Sequence, residues 1–124
     1  MRLWYPIKLV ELDNKRLLGC HNEILIIGKA IHAITHNIKY GFKRHPETLR
    51  WVGHTKALAQ YHDAIAMEML NRGFNHKSPW PQHLINLDDS QDFPNTTWEP
   101  LETMQLKLNE KQTPVQQSIE LDSK

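Results

Sequence analysis

The sequence contains a single cysteine, Cys20, among its 124 residues, so an intramolecular disulfide is excluded. Because Cys20 lies among apolar residues at helical spacing, we expect a small buried side chain rather than a nucleophile. Long apolar runs are also missing, since no stretch approaches the roughly 18 consecutive apolar residues of a membrane span. The opening MRLWYPIKLVELDNK lacks the apolar core of a secretory signal. These absences predict a cytoplasmic protein without a membrane partner.

The net charge of +1 is small, but the charges are unevenly distributed along the chain. Residues 1–83 carry 12 Lys and Arg against 6 Asp and Glu, together with all eight histidines, whereas residues 84–124 carry 3 against 8. A basic body of this kind is typical of proteins that bind polyanions, although many enzymes without a nucleic-acid partner share it. The charge distribution therefore allows a DNA partner without requiring one.

The strongest helix pattern follows Asp13 and Asn14, either of which can accept hydrogen bonds from the first backbone amides of a helix. Apolar residues then recur at alternating spacings of three and four, which is the pattern of one buried helix face. They are Leu17, Cys20, Ile24, Ile27, Ile31 and Ile34.

A second helix is predicted from His45-Pro46, where proline suits the first helical position, to Arg72-Gly73, where glycine suits a left-handed cap. We expect Gly53 to kink or split it. Its core stripe is predicted at Leu58, Tyr61, Ile65 and Met69. A third helix is predicted to carry Leu101, Met104 and Leu108 on its core face.

The residues outside the predicted helices indicate how these helices are joined. Residues 78–100 contain four prolines and the cluster LDDSQDFPNTT, so we expect a long irregular connection before the last helix. No strand alternation persists beyond the first ten residues, and no internal repeat is visible. The sequence thus predicts an all-α fold, with residues 1–111 forming a compact single domain of three main helices and residues 112–124 a flexible acidic tail.

Glu23 lies on the first predicted helix, about 70° from the centre of its apolar stripe at 100° per residue. We therefore expect it to border the core rather than face open water, with Gly19 leaving space beside it. The N-terminal segment carries Leu3, Trp4, Tyr5 and Ile7, which need to pack against the body of the protein and would hold the amino terminus close to its surface. Glu23 and a free amine are candidates for a shared site.

Five ordered segments resemble the pyrimidine-dimer DNA glycosylase family, the endonuclease V enzymes that incise DNA at ultraviolet photoproducts. They are Met1-Arg2-Leu3-Trp4, Leu17-Leu18-Gly19-Cys20-His21-Asn22-Glu23, Gly53-His54, Leu70-Asn71-Arg72-Gly73-Phe74-Asn75 and Gln105-Leu106-Lys107-Leu108-Asn109-Glu110-Lys111. Each segment alone is a weak signal, but the ordered set is fairly specific and spans residues 1–111.

The resemblance implies that the N-terminal α-amine attacks C1′ of the sugar that bears the 5′ pyrimidine of a cyclobutane dimer. Loss of the base leaves an imine, and β-elimination from it breaks the strand, so that glycosylase and abasic-site lyase share one nucleophile. Because Arg2 is too bulky for efficient removal of the preceding methionine, we expect Met1 to be retained as the nucleophile. Glu23 is implied to stabilise the cationic sugar and to move protons. No metal or organic cofactor is required.

The resemblance also implies which residues contact double-stranded DNA at photoproducts or abasic sites. Arg2, Lys107 and Lys111 match positions that hold phosphates, and the two lysines share a helix face at i, i+4 spacing. Further candidates for this surface are His21, Asn22, His54 and Arg72.

Three departures from the best-known relatives affect the predicted DNA surface. Asn22 and Ile26 stand where those relatives carry arginines, and the tail is acidic rather than basic and aromatic. We therefore expect weaker DNA binding, altered lesion choice or a need for lower salt. The alternatives are an abasic-site lyase with little dimer preference and a non-catalytic small helical DNA-binding protein. A monomer is expected.

His32 and His36 are i, i+4 on a helix and could share a metal ion. No HExxH glutamate accompanies them and no cysteine cluster completes a site, so the sequence predicts no metal.

Overall fold

The computed structural model describes residues 2–76 and 78–122, and for residues 113–122 the backbone alone. Within these ranges it contains no strand and four α-helices: α1 (Asn14–Thr35), α2 (Pro46–Trp51), α3 (Thr55–Asn71) and α4 (Leu101–Asp122). Two short 3-10 turns, Leu9–Glu11 and Gln82–Leu84, lie outside the helices. The predicted all-α class is confirmed, with α1, α3 and α4 as the three main helices.

Helix α1 is the centre of the core. The Asp13 carboxylate accepts a 2.8 Å hydrogen bond from the amide of Arg16, which resolves the predicted cap in favour of Asp13. Every residue of the predicted stripe from Leu17 to Ile31 is buried, and the last one, Ile34, is half-buried. The length and composition of α1 also meet the criteria for a helix that could cross a membrane. The core helices of soluble proteins meet the same criteria, and α1 packs against α2 and α3.

The second predicted helix is split in two at Gly53, as expected. Gly53 has φ +82°, a conformation that favours glycine, and separates α2 from α3. Gly73 has φ +87° directly after the α3 cap residue Arg72. The core stripe Leu58, Tyr61, Ile65 and Met69 is buried as predicted.

Trp80 and Asp89 are among the residues that fasten the irregular connection between α3 and α4 to the helices. Trp80 is buried directly over Gly28 of α1, where an added Cβ would lie 2.7 Å from the indole ring. Asp89 accepts a 2.6 Å hydrogen bond from the hydroxyl of Thr55, at the start of α3. The predicted long connection is therefore present, and it contributes Trp80 and Leu84 to the core.

Helix α4 departs from the sequence prediction at its first residue. Met104 and Leu108 are buried as expected, but Leu101 is 48% exposed, because it is the first residue of the helix and its side chain lies on the outer surface. The helical backbone continues past Lys111 to Asp122. The division into a domain and a separate tail at Lys111 stays a prediction.

Candidate active site

A cavity of about 440 Å³ lies between the N-terminal segment, the first half of α1 and α4. It contains the carboxylate singled out in the sequence and four basic side chains. Its lining residues are Arg2, Trp4, Lys15, Arg16, Gly19, Cys20, Glu23 and Lys111.

Glu23 is half-buried on this wall, as the helix geometry predicted. Gly19 lies one turn before it, and a Cβ built there meets no atom within 4 Å. The absence of a side chain at Gly19 therefore leaves open space next to the Glu23 carboxylate. Gly19 and Glu23 line the same cavity.

The neighbouring Cys20 is buried, and burial raises the pKa of its thiol to about 12. The thiolate is the nucleophilic form of cysteine, and burial disfavours that form of Cys20. The interpretation of Cys20 as a packing residue is confirmed.

The N-terminal segment is held in place by a buried ion pair on α2. The Glu47 side chain is fully buried and accepts a 2.5 Å hydrogen bond from the amide of Leu3. Arg50 pairs with Glu47 at 2.7 Å and donates to the carbonyl oxygens of Leu3 and Tyr5, at 3.2 and 2.8 Å. Both the amide and the carbonyl of Leu3 are therefore fixed by side chains of α2, which positions Arg2 at the cavity.

We expect Glu47→Ala to destabilise the protein strongly, because it leaves Arg50 as a buried charge without its partner. Breaking a buried pair in this way costs about 3–5 kcal/mol. Urea unfolding followed by circular dichroism measures this, with the exposed Glu102→Ala as the control, for which we expect a change within about 0.5 kcal/mol. A loss at position 47 no larger than at the control would show that the pair does not anchor the segment.

Arg2 is packed between two indole rings at the edge of the cavity. Its guanidinium carbon lies 4.7 Å from the centre of the Trp4 ring and 4.8 Å from that of Trp98, and it forms an ion pair with Glu99. Lys107 binds the other oxygen of Glu99 at 2.8 Å. Burial tends to raise the pKa of Glu99, but the hydrogen bonds from Lys107 and Arg2 outweigh it and hold that pKa below its usual range.

Lys111 reaches the same cavity from α4. The position of this helix is fixed by Gln112, whose side chain accepts from the amide of Asp13 at 2.8 Å and donates to the carbonyl of Glu11 at 3.1 Å. The guanidinium of Arg16 donates to the carbonyl of Lys111 at 3.3 Å. Arg2, Lys111 and Glu23, predicted from separate parts of the sequence, are thus brought together.

Sequence reasoning missed three side chains around Glu23. Lys15 and Arg16 line the cavity, and a signal was available, because Arg16, Gly19 and Glu23 follow helical spacing. His45 caps α2, where its Nδ1 accepts a 3.1 Å hydrogen bond from the amide of Glu47. Burial and the charge of Arg2 lower the pKa of His45 while the charge of Glu23 opposes this, so His45 belongs to the electrostatic surroundings of both residues.

The remaining predicted DNA contacts lie elsewhere. His21 and the exposed Asn22 line a separate cavity of about 290 Å³. Burial, with the nearby His76 and His62, lowers the pKa of His21.

His54 and Arg72 both have partners within the protein. Nδ1 of His54 is 2.8 Å from the carbonyl oxygen of Asp92. Arg72 binds Glu68 at 2.7 Å, Asn14 at 3.1 Å and the carbonyl of Leu9 at 3.0 Å. Arg72 therefore joins the end of α3 to the start of α1 through three of the five N–H donors of its guanidinium, and its contact with DNA stays a prediction. Met1, the predicted nucleophile, lies outside the described residues.

Comparison with known proteins gives one positive finding. A family model described as pyrimidine dimer DNA glycosylase matches residues 1–82, which include Arg2 and Glu23 but not Lys107 or Lys111. No curated protein and no solved structure shows significant similarity to the chain. Because the matched residues make up more than half of the sequence, the chain belongs to the pyrimidine dimer DNA glycosylase family.

Proposed function

We propose that this protein removes the 5′ base of cyclobutane pyrimidine dimers and then cleaves the strand, through an imine between its N-terminal α-amine and the sugar. Family membership implies the glycosylase activity and a DNA substrate with dimer damage. The observation that carries the finer proposal is the shared cavity, in which Arg2, the residue next to the terminus, lies with Glu23.

The α-amine is chemically suited to this role. Its ordinary pKa is about 7.7–8.0 against about 10.4 for lysine, so roughly a tenth of it or more is neutral and nucleophilic near pH 7. Its nitrogen forms a bond to C1′ as the bond from C1′ to the 5′ base breaks. That base takes up a proton and stays attached to the 3′ pyrimidine through the cyclobutane ring. Opening of the sugar ring gives the imine. Loss of a proton from C2′ then expels the 3′ phosphate, and water releases the enzyme from the cleaved strand.

Glu23 serves two steps of this sequence. Its carboxylate stabilises the positive charge that develops on the sugar and on the imine nitrogen, and it transfers protons during ring opening and elimination. The half-buried position of Glu23 supports this assignment, because such an ion pair strengthens as water is excluded.

The basic side chains of the cavity supply phosphate contacts in this proposal. Glu99 pairs with both Arg2 and Lys107 in the free protein, so a DNA phosphate must compete with Glu99 for either residue. Lys111 is exposed on the cavity wall opposite Glu23's helix, and Lys15 lines the same cavity. We therefore assign the main phosphate contact to Lys111.

For Lys111→Ala we expect weaker binding to damaged and undamaged duplexes alike, because a phosphate contact carries no sequence or lesion information. The slope of log affinity against log salt should fall in magnitude by about 0.9, the value for one phosphate contact. Fluorescence anisotropy over a salt series measures both. Lys39→Ala, beyond the far end of α1, is the matched control; equal slopes for the two variants would remove Lys111 from the interface.

The test of the function is nicking of irradiated, depurinated and undamaged plasmid without added metal, with borohydride in parallel reactions. We expect nicking and covalent trapping on irradiated and on depurinated DNA. Nicking of depurinated plasmid alone would identify an abasic-site lyase with little dimer preference, an outcome that Asn22 and Ile26 favour, since the arginines of the best-known relatives are missing there. Binding without trapping would identify a non-catalytic protein.

A monomeric state and a cytoplasmic location complete the proposal.

A further inference from the structure

Three histidines from separate parts of the chain converge on the side of α1 that carries Asn22. They are His21 on α1, His62 on α3 and His76 in the segment after α3. One ring nitrogen from each lies within 4.8 Å of the other two. The ring centres of His21 and His76 are 4.7 Å apart, and those of His62 and His76 are 5.2 Å apart.

In this cluster one buried ring nitrogen lacks a hydrogen-bond partner, and another lies beside a carboxylate. Nε2 of His76 is buried and has no hydrogen-bond partner within residues 2–76 and 78–122. His62 is 6% exposed, and its Nδ1 lies 3.1 Å from the Asp63 carboxylate. A carboxylate on one ring nitrogen is the arrangement that orients a metal-binding histidine and leaves the other nitrogen available as the ligand.

We propose that His21, His62 and His76 bind a divalent transition-metal ion, with zinc as the physiological candidate. Imidazole nitrogens suit zinc, copper, cobalt and nickel, whereas magnesium and calcium prefer oxygen ligands. A point between three atoms separated by at most 4.8 Å lies within about 2.8 Å of each, so shifts of less than about 1 Å per ring give the 2.0–2.1 Å of a zinc–nitrogen bond.

The site is accessible from solvent and separate from the candidate active site. His62 lines two cavities, one shared with His21 and the other, of about 260 Å³, shared with His76. Glu23 lines neither of them. Three histidines leave a fourth position for water. A bound ion would join the segment after α3 to α1 and α3, beside Asn22, independently of the glycosylase chemistry.

Calorimetric titration of the untagged, chelator-treated full chain with zinc chloride tests the proposal. We expect one equivalent to bind, and binding to be lost in His76→Ala and in His21→Ala, both at half-buried positions. Asp63→Ala should weaken binding by about 10–100-fold, as loss of an orienting carboxylate does. His36→Ala is the control for histidine content, since its ring stacks on His32 at 4.1 Å in another part of the fold.

A second readout comes from Trp80, whose ring lies 5.1 Å from that of His62. Copper(II) in the site is expected to quench the fluorescence of Trp80. That quenching should disappear in Trp80→Phe, while calorimetric zinc binding remains. Absence of zinc binding to the natural chain, equal binding by His76→Ala and His36→Ala, or undiminished quenching in Trp80→Phe would each overturn the assignment.

Discussion

A form of the protein with an acetylated amino terminus, or with two residues added before Met1, is expected to lose both strand cleavage and borohydride trapping. In both forms the nitrogen of Met1 becomes an amide, whose lone pair is delocalised into the carbonyl and cannot attack C1′. The acetylated form has no α-amine left, and the extended form carries its α-amine two residues away from the proposed position. Loss of a covalent nucleophile lowers the rate by on the order of 10³-fold or more. DNA binding should change little, because Arg2 and Lys111 are retained.

The same two residues added after Lys124 provide the control for chain length, and this form should cleave at the normal rate. Gel analysis of an end-labelled duplex with one cyclobutane dimer measures cleavage, and borohydride added to a parallel sample measures trapping. Full cleavage by the form extended at its amino terminus would contradict the proposed nucleophile.

Glu23→Gln is expected to abolish base removal, because the amide keeps the shape of the side chain but has neither its charge nor its basicity. A loss of about 10²–10⁴-fold is typical for a group that transfers protons in the transition state. Binding should stay within a few-fold of the natural chain, since Glu23 contributes no attraction to phosphate. Single-turnover cleavage and anisotropy on the same duplex separate the two quantities.

The matched control is Glu102→Gln, a glutamate at the exposed start of α4. It should leave both cleavage and binding unchanged. Normal turnover by Glu23→Gln would show that this carboxylate has no part in the mechanism. The role of the amine is tested separately by the acetylated and extended forms.

Local patterns in the sequence predicted the parts of the fold that depend on neighbouring residues. The α1 stripe, the split at Gly53 and the cap at Gly73 all follow from helical periodicity and from the backbone freedom of glycine. The prediction that Leu101 lies on the core face was wrong. Periodicity places a residue on a helix face but does not show at which residue other segments begin to cover that face.

Contacts between distant segments were beyond sequence reasoning. A Glu47–Arg50 spacing of i, i+3 on a polar stretch is typical of an exposed pair, and only the fold shows that this pair is buried beneath the N-terminal segment. The contacts of Arg72 with Asn14 and Leu9 likewise depend on how the end of α3 is packed, which the sequence does not show. The cluster of His21, His62 and His76 likewise combines three segments that no motif connects.

The candidate site was predictable where one helix carries it. Glu23 and Gly19 lie on one wall because they belong to the same face of α1, and the resemblance supplied Arg2 as the partner from the N-terminal segment. The sequence did not indicate that Glu99 pairs with two of the predicted phosphate contacts, Arg2 and Lys107. That pairing gives a physical reason, beyond the missing arginines, to expect DNA binding that weakens at moderate salt.

The central claim is the covalent bond between the amino terminus and deoxyribose, and the most direct measurement is the location of the reduced adduct. The protein is trapped with borohydride on a duplex that carries one dimer, digested with nuclease and protease, and sequenced by mass spectrometry. We predict that the added sugar remnant lies on the α-amine of Met1. An adduct on a lysine side chain, or a dimer-dependent cleavage that yields no adduct, would contradict the account.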